Sequence, residues 1–356
     1  MQTRILIAGA GTYIPETRIL NDYFLRKTFY DKEGNRIVRP GEDIVKKFED
    51  ITGIKERRYA RSEEVTSDLA TKASFQAIED AQIQPSQLNY VVVAHNFGDV
   101  RPTMPTLDMV PSLASRVARN LDIENASLIT YDIAFGCPGW IEGVINVINR
   151  MKPGEYALVV GAETLSRVYD PYDRDSMIFS DGAGAVVLKA IETERDVGFL
   201  GWESRSYAGE TVSYLYMSPS YKKDHDQSRL YMHMEGRKVY EFALKEVPSA
   251  IKGLLDKKGL HLKDTSMFLI HQANAKMDHA ILKRLLRLYG MKKPPREYYM
   301  PMTIQSLGNS SVATIPTMIA LIKHKKLLPY EFEPGDIVIM ASVGAGMNIN
   351  AMLYKW

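Results

Sequence analysis

The sequence predicts an α/β fold of stacked layers built from two similar halves. Short apolar, β-branched runs alternate with segments of helical periodicity along the whole chain, the pattern that lays helices against sheet faces. Three local motifs recur in the same order. Val-Val-Ala-His95 is answered by Phe-Leu-Ile-His271, Phe-Gly-Cys137 by Leu-Gly-Asn309, and Gly182-Ala-Gly184 by Gly344-Ala-Gly346. Recurrence in order implies an internal duplication about a pseudo-twofold axis, with the natural site in the crevice between the copies. A length of 356 residues, 45% hydrophobic and 25% charged, supplies a core for two such halves, taken as 1–190 and 191–356.

Arg4 to Gly11 reads as a strand entering glycines. The run from Gly9 lacks the third glycine of a dinucleotide fingerprint and puts Pro15 where the phosphate-binding helix would continue, so nucleotide binding is not expected. Residues 31–43 are polar and turn-rich, a surface excursion. A helix around Ile44 to Phe48 leads to Thr52-Gly53-Ile54, and another runs from Ser67, as N-cap, to about Ala81. Val91 to Ala94 is a buried strand followed by His95 and Asn96. An irregular stretch holding Pro102, Pro105 and Pro111 precedes a helix from Ser112 to Leu121.

Leu128 to Phe135 is a strand that stops at Gly136. Pro138 suits a first helical position, and Ile141, Val144, Ile145, Ile148 and Met151 keep helical spacing up to Pro153-Gly154. Strands follow at Tyr156 to Val160 and Phe179 to Leu188. In the second half Met267 to Ile270 is a strand ending in His271, and a helix begins near Ala275. Asn309 stands in a strand-to-helix turn before a helix carrying Ile315, Met318, Ile319 and Ile322.

A net charge of +2 gives no general case for a nucleic-acid partner. The single cysteine rules out an intrachain disulfide and fits a reducing compartment. The apolar run near Met1 is too short for a signal peptide or a membrane span, so a cytoplasmic protein with no membrane partner is expected.

That cysteine, Cys137, lies where a strand turns into a helix. Unpaired N–H groups at a helix start favour an anion, which would enrich a nucleophilic thiolate; an inert core thiol is the alternative. His271 is either a reactive group or a satisfied interior histidine, and Asn309 either a cap or part of a site. Together they suit two chemistries. In a thiol hydrolase the histidine activates the thiol and the asparagine orients the histidine. In a condensing enzyme the cysteine carries an acyl group, while histidine and asparagine hold the carbonyl of a second thioester as it loses CO2. The glycine-serine pair and following aromatic that flank a papain-type cysteine are absent.

Asp132-Ile-Ala-Phe-Gly before Cys137, His271-Gln272-Ala273-Asn274, Gly308-Asn309-Ser310-Ser311 and Gly344-Ala-Gly346 resemble β-ketoacyl-acyl-carrier-protein synthase III of the thiolase superfamily. The resemblance spans nearly the whole chain. It implies a five-layered αβαβα thiolase fold, a homodimer, and decarboxylative Claisen condensation of an acyl primer on Cys137 with malonyl-carrier protein. His271 and Asn309 would hold the malonyl thioester, and the backbone N–H groups of Cys137 and Ala345 would form the oxyanion hole. Asn274, Arg167 and Val110 would contact substrate. No metal or cofactor is implied; the substrates are phosphopantetheine thioesters on acyl-carrier protein or CoA. A specialised relative joining or transferring longer acyl chains is the alternative within the fold.

Several positions depart from the family pattern. Lys47 and Ile51 stand where a Trp and an Arg commonly clamp CoA, although Arg167 matches the other side of the clamp. Val110 replaces a Phe that closes the acyl pocket across the dimer, which suggests a primer longer than acetyl. Lys276, Lys283 and Arg287, seven and then four residues apart, form one helical stripe able to receive an acidic carrier protein.

Overall fold

A computed structural model describes residues 1–356, the side chain of Pro105 aside. The chain opens with β1 (Gln2–Tyr13), then β2 (Thr17–Leu20), α1 (Gly41–Thr52) and β3 (Glu56–Tyr59), with β2 and β3 paired as a side ladder. Next come α2 (Thr66–Asp80), β4 (Leu88–Ala94), a small ladder of β5 (Asp99–Arg101) and β6 (Met104–Asp108), then α3 (Leu113–Asn120). β7 (Ile129–Ile133), α4 (Gly139–Ile148), β8 (Tyr156–Thr164) and β9 (Asp181–Thr193) follow. Beyond them lie β10 (Gly198–Arg205), the paired β11 (Leu215–Ser218) and β12 (Tyr231–Met234), α5 (Gly236–Lys257) and β13 (Met267–Ile270). The chain ends with α6 (Ala275–Leu288), α7 (Ile304–Leu307), α8 (Thr314–Lys323), β14 (Ile337–Gly344) and β15 (Asn348–Lys355). Among the described residues, no helix is long and apolar enough to cross a membrane.

Two sheets carry the molecule, in strand orders β1-β9-β8-β4-β7 and β10-β15-β14-β13. The orders correspond strand for strand until β7. In each sheet the first three strands run antiparallel, and the next pair, β8 with β4 or β14 with β13, is parallel. Side chains alternate across each sheet, so each buries two faces. Val92, Val159, Leu269 and Met340 meet α4 and α8 in a central layer with Trp140, Val144, Met318 and Ile319. On the outer faces, Val91, Val93 and Leu158 pack on α2 and α3, while Phe268, Ile270 and Ile339 pack on α5 and α6. The layers therefore read αβαβα, the predicted thiolase architecture.

The counterpart of β7 is not a strand. Tyr299 supplies one backbone acceptor to Phe268 N at 2.7 Å, and the buried Gln272 side chain does the rest. Its Nε2 donates to Pro301 O at 2.8 Å, and its Oε1 accepts from Thr303 N and Ile304 N at 2.9 and 3.0 Å. Asn309 therefore follows α7 and Gly308, not the strand end expected for it. The division expected after residue 190 falls inside β9; we propose the connection 194–197 as the boundary.

Smaller expectations also shift. α2 begins one residue before Ser67, whose hydroxyl binds Asp99 at 2.7 Å instead of capping. Pro138 is the N-cap of α4, one position earlier than expected, and Ser112 does cap α3, accepting from Ser115 N. The irregular stretch before α3 contains the β5–β6 ladder. Gly182 and Gly184 lie within β9, whereas Gly344 to Gly346 form a turn, so this motif pair corresponds in place but not in conformation.

Candidate active site

Cys137, His271 and Asn309 come from three connections and line one cavity of about 230 Å³. The end of β13 fixes His271, whose N–H donates to Ala341 O of β14 at 2.9 Å. Asn309 is clipped to the segment before β9: its N–H donates to Ile178 O and its carbonyl accepts from Ser180 N, both at 2.9 Å. The second half thus borrows the first half's backbone to place its asparagine. Asn309 Oδ1 accepts from Ser311 N at 2.9 Å, which leaves the amide NH2 as the end available to a ligand.

The two duplicated histidines have diverged. His95 is fully engaged: Gly98 N donates to its Nδ1 at 3.0 Å, and its Nε2 bonds Asp132 Oδ2 at 3.0 Å. Asp132 in turn accepts from Leu113 N and Ala114 N at the start of α3. His271 Nδ1 is buried with no such partner. Burial pushes the His271 ring down to about 4. The imidazole is neutral at physiological pH.

Burial also pushes the Cys137 thiol up to about 11, against the hydroxyl of Ser311, which donates to its sulfur at 3.4 Å. The expectation of a lowered thiol at the helix start is corrected: α4 begins two residues on, and loss of water outweighs it. The resting pair is a neutral thiol beside a neutral imidazole.

Two glycines bring the Cys137 turn against the turn after β14. A Cβ on Gly344 would lie 2.4 Å from Cys137 N, and one on Gly136, where φ is +66°, 2.7 Å from Ala345 N. Only residues without a side chain permit this approach. Ala345 itself needs no left-handed backbone, since within its turn that conformation falls on Gly346 and Met347.

A second cavity of about 490 Å³ adjoins the first, sharing Ile178, Met234, Val239, Ala273 and Met277 with it. Its rim carries Arg39, Lys47, Arg174, Arg237 and Lys276, with Asp175 the acid among the lining residues. Asn274 lines this vestibule and caps α6, its Oδ1 accepting from Met277 N at 3.1 Å. Of the predicted stripe, Lys276 is at the rim; Lys283 and Arg287 are exposed further along α6.

Arg167 does not reach this rim. It is 9% exposed and donates to the carbonyls of Val100, Ala60, Arg61 and Glu64, so it braces loops and is not a substrate clamp. Val110 is 87% exposed and lines neither cavity of its own chain. The chamber wall is instead methionine-rich, from Met217, Met232 and Met234 on β11 and β12, which periodicity did not reveal. Sequence reasoning also left Asn96, Ser311 and Glu163 without roles. The one available signal was a carboxylate closing the apolar run of β8.

Comparison with known proteins identifies the family. The family model described as 3-oxoacyl-[acyl-carrier-protein (ACP)] synthase III C terminal matches residues 255–356, and that described as 3-oxoacyl-[acyl-carrier-protein (ACP)] synthase III matches residues 131–208. The β-ketoacyl-[acyl-carrier-protein] synthase III of Caldanaerobacter subterraneus subsp. tengcongensis is 34% identical over 98% of this chain and 97% of its own. That of Staphylococcus haemolyticus is 33% identical over 98% of both. The crystal structure of 3-oxoacyl-[acyl-carrier-protein] synthase III from Aquifex aeolicus VF5 aligns with a TM-score of 0.77 at 27% identity, covering all of both chains. Fold and full-length similarity agree, and the chain belongs to the β-ketoacyl-acyl-carrier-protein synthase III family of thiolase-fold condensing acyltransferases.

Proposed function

We propose that Cys137 carries the acyl primer and that His271 and Asn309 drive its condensation with malonyl-carrier protein, releasing a β-ketoacyl-carrier protein. The observation that carries this reading is the meeting of all three side chains in one cavity, reached through a cation-rimmed vestibule. In the first half-reaction the Cys137 sulfur attacks the primer thioester, and the departing thiol leaves with the proton. The tetrahedral oxyanion is held by the backbone N–H groups of Cys137 and Ala345, which the two glycines bring together. In the second, the malonyl C–C bond to carboxylate breaks and CO2 departs. The electron pair passes to the thioester oxygen, held by the His271 ring N–H and the Asn309 NH2. The enolate carbon then attacks the acyl group and expels Cys137 as a thiolate, which takes up a proton from solvent to return to the resting thiol.

A neutral imidazole suits this work, because it donates a hydrogen bond without surrendering its proton. The hydrolase alternative loses support here. That mechanism needs the asparagine to orient the histidine, and Asn309 Oδ1 is occupied by Ser311 N. Intact mass of the protein after exposure to acyl-CoA and acyl-carrier thioesters, with CO2 release measured from malonyl-carrier protein, tests the reading. Hydrolysis without carbon–carbon bond formation would sink it.

The methionine-lined chamber exceeds what a two-carbon acyl group fills, and neither Lys47 nor Ile51 restores the missing aromatic clamp for CoA. We therefore expect primers longer than acetyl to label Cys137 faster than acetyl-CoA does. A primer-length series in which acetyl-CoA is preferred would overturn this.

The rim cations suit an acidic carrier protein and its phosphopantetheine. Reversing Lys47 and Lys276 together to Glu should raise KM for malonyl-carrier protein by about tenfold, with a much smaller effect on labelling by a carrier-free thioester. An equal effect on both would remove the docking role. A homodimer remains part of the proposal: Met104 and Leu107 in β6 and Met109 and Val110 just after it are exposed apolar side chains that a second copy could cover. Sedimentation of the purified protein checks it.

A further inference from the structure

A buried carboxyl group lies behind the reacting thiol. Glu163 is the penultimate residue of the apolar strand β8 and is 1% exposed. Its Oε1 accepts a hydrogen bond from Asn96 Nδ2, and the same amide nitrogen reaches Ser311 Oγ at 3.2 Å. Ser311 Oγ in turn donates to Cys137 Sγ at 3.4 Å. The directions follow from the chemistry of each group. An amide NH2 only donates, so Asn96 fills a lone pair of Ser311 and leaves that hydroxyl's single hydrogen for the sulfur. Whenever Glu163 is charged, a reversed Asn96 amide would set its oxygen against a carboxylate oxygen. Ser311 is held at a positive φ of 51° by its own N–H on Asn309 Oδ1. The chain therefore runs from Glu163 through Asn96 and Ser311 to the sulfur, across both halves of the fold.

We propose that Glu163 is a positioning residue for Cys137: through Asn96 and Ser311 it aims the hydroxyl that stabilises the thiolate, and its own charge state sets how readily that thiolate forms. The proposal rests on Cys137 being the reacting thiol. Burial pushes the Glu163 carboxyl up to about 8, against the hydrogen bonds it accepts from Asn96. Below that pH the neutral carboxyl leaves the thiolate as the one anion of the relay. Above it the charged carboxylate opposes ionisation of Cys137, in the direction already felt by the thiol. The other titratable groups facing this cluster are Asp181 at the head of β9, pushed by burial to about 6, and His271 beyond Ser311, at about 4. Both have finished changing charge below pH 8, so a feature there belongs to Glu163.

The test is the rate of Cys137 alkylation by iodoacetamide from roughly pH 6 to 10, read as adduct mass on the intact protein. In the wild type the logarithm of the rate should climb one unit per pH unit, flatten near pH 8 as Glu163 becomes charged, and then climb again. Glu163→Gln accepts from Asn96 without acquiring charge, and its profile should be a single unit slope. Ser311→Ala removes the donor and should slow alkylation by about tenfold below pH 8. A wild-type profile without flattening, flattening that persists in Glu163→Gln, or an unchanged rate in Ser311→Ala would overturn the proposal. If Glu163→Gln does not fold, the wild-type profile still decides. Alkylation needs no acyl substrate or carrier, so a failure of the condensation reading would leave this result standing.

Discussion

Replacing His271 or Asn309 by alanine should slow carbon–carbon bond formation by about 10²- to 10³-fold, while Cys137 still takes up its acyl group. Each side chain offers one hydrogen-bond donor to an oxygen that becomes negative only as CO2 leaves, so its loss falls on the second half-reaction. The split is visible by comparing acyl-enzyme mass with CO2 release. Loss of acylation in His271→Ala would instead make His271 the base for the thiol, as in a hydrolase. The pH sign is also fixed. The ring gains its second proton only near pH 4, so activity should not fall as pH rises through 6.5, where an ordinary histidine loses its charge. Stability has the complementary dependence. Between pH 6.5 and 4 the unfolded chain binds a proton that the native ring refuses, so folding weakens as pH falls through that window.

The substitution Gly344→Ala should lower both half-reactions, by about 10²-fold or more if the Cys137 N–H is displaced from the oxyanion. Its methyl group would meet Cys137 N at 2.4 Å, Pro138 Cδ at 2.8 Å and Cys137 Cβ at 3.0 Å. None of these is the free end of a flexible side chain, so the turn itself must move. The overpacking costs about 1–3 kcal/mol, visible as a lower Tm. Gly209→Ala, where nothing lies within 4 Å, is the control and should behave as wild type. A Gly344→Ala protein with normal acylation would show that the two turns do not share the oxyanion.

The five layers were legible because their signals are periodic and local. Val91 to Ala94 and Met267 to Ile270 are apolar on both faces, as strands covered by helices on each side must be. The duplication was legible because His95 with His271, and Cys137 with Asn309, hold equivalent places. What stayed hidden depends on long-range partners. The Gln272 side chain replaces a ladder of backbone bonds, and nothing local marks it as doing so. Arg167 has a suitable residue type and motif context, but only the fold shows its guanidinium directed at loop carbonyls. The upward shift of Cys137 likewise comes from exclusion of water by residues distant in sequence.

The contrast between the two histidines bears on how such a protein evolves. A duplicated fold begins with two of everything, and a crevice shared by both copies needs only one reagent of each kind. The surplus position is free to change trade. His95 became a fastener, tying a strand end to the first turn of a neighbouring helix through Asp132, while His271 kept a bare ring nitrogen. Selection on one histidine is therefore selection for endurance, and on the other for turnover, so the two copies can drift apart without either losing its reason to be a histidine.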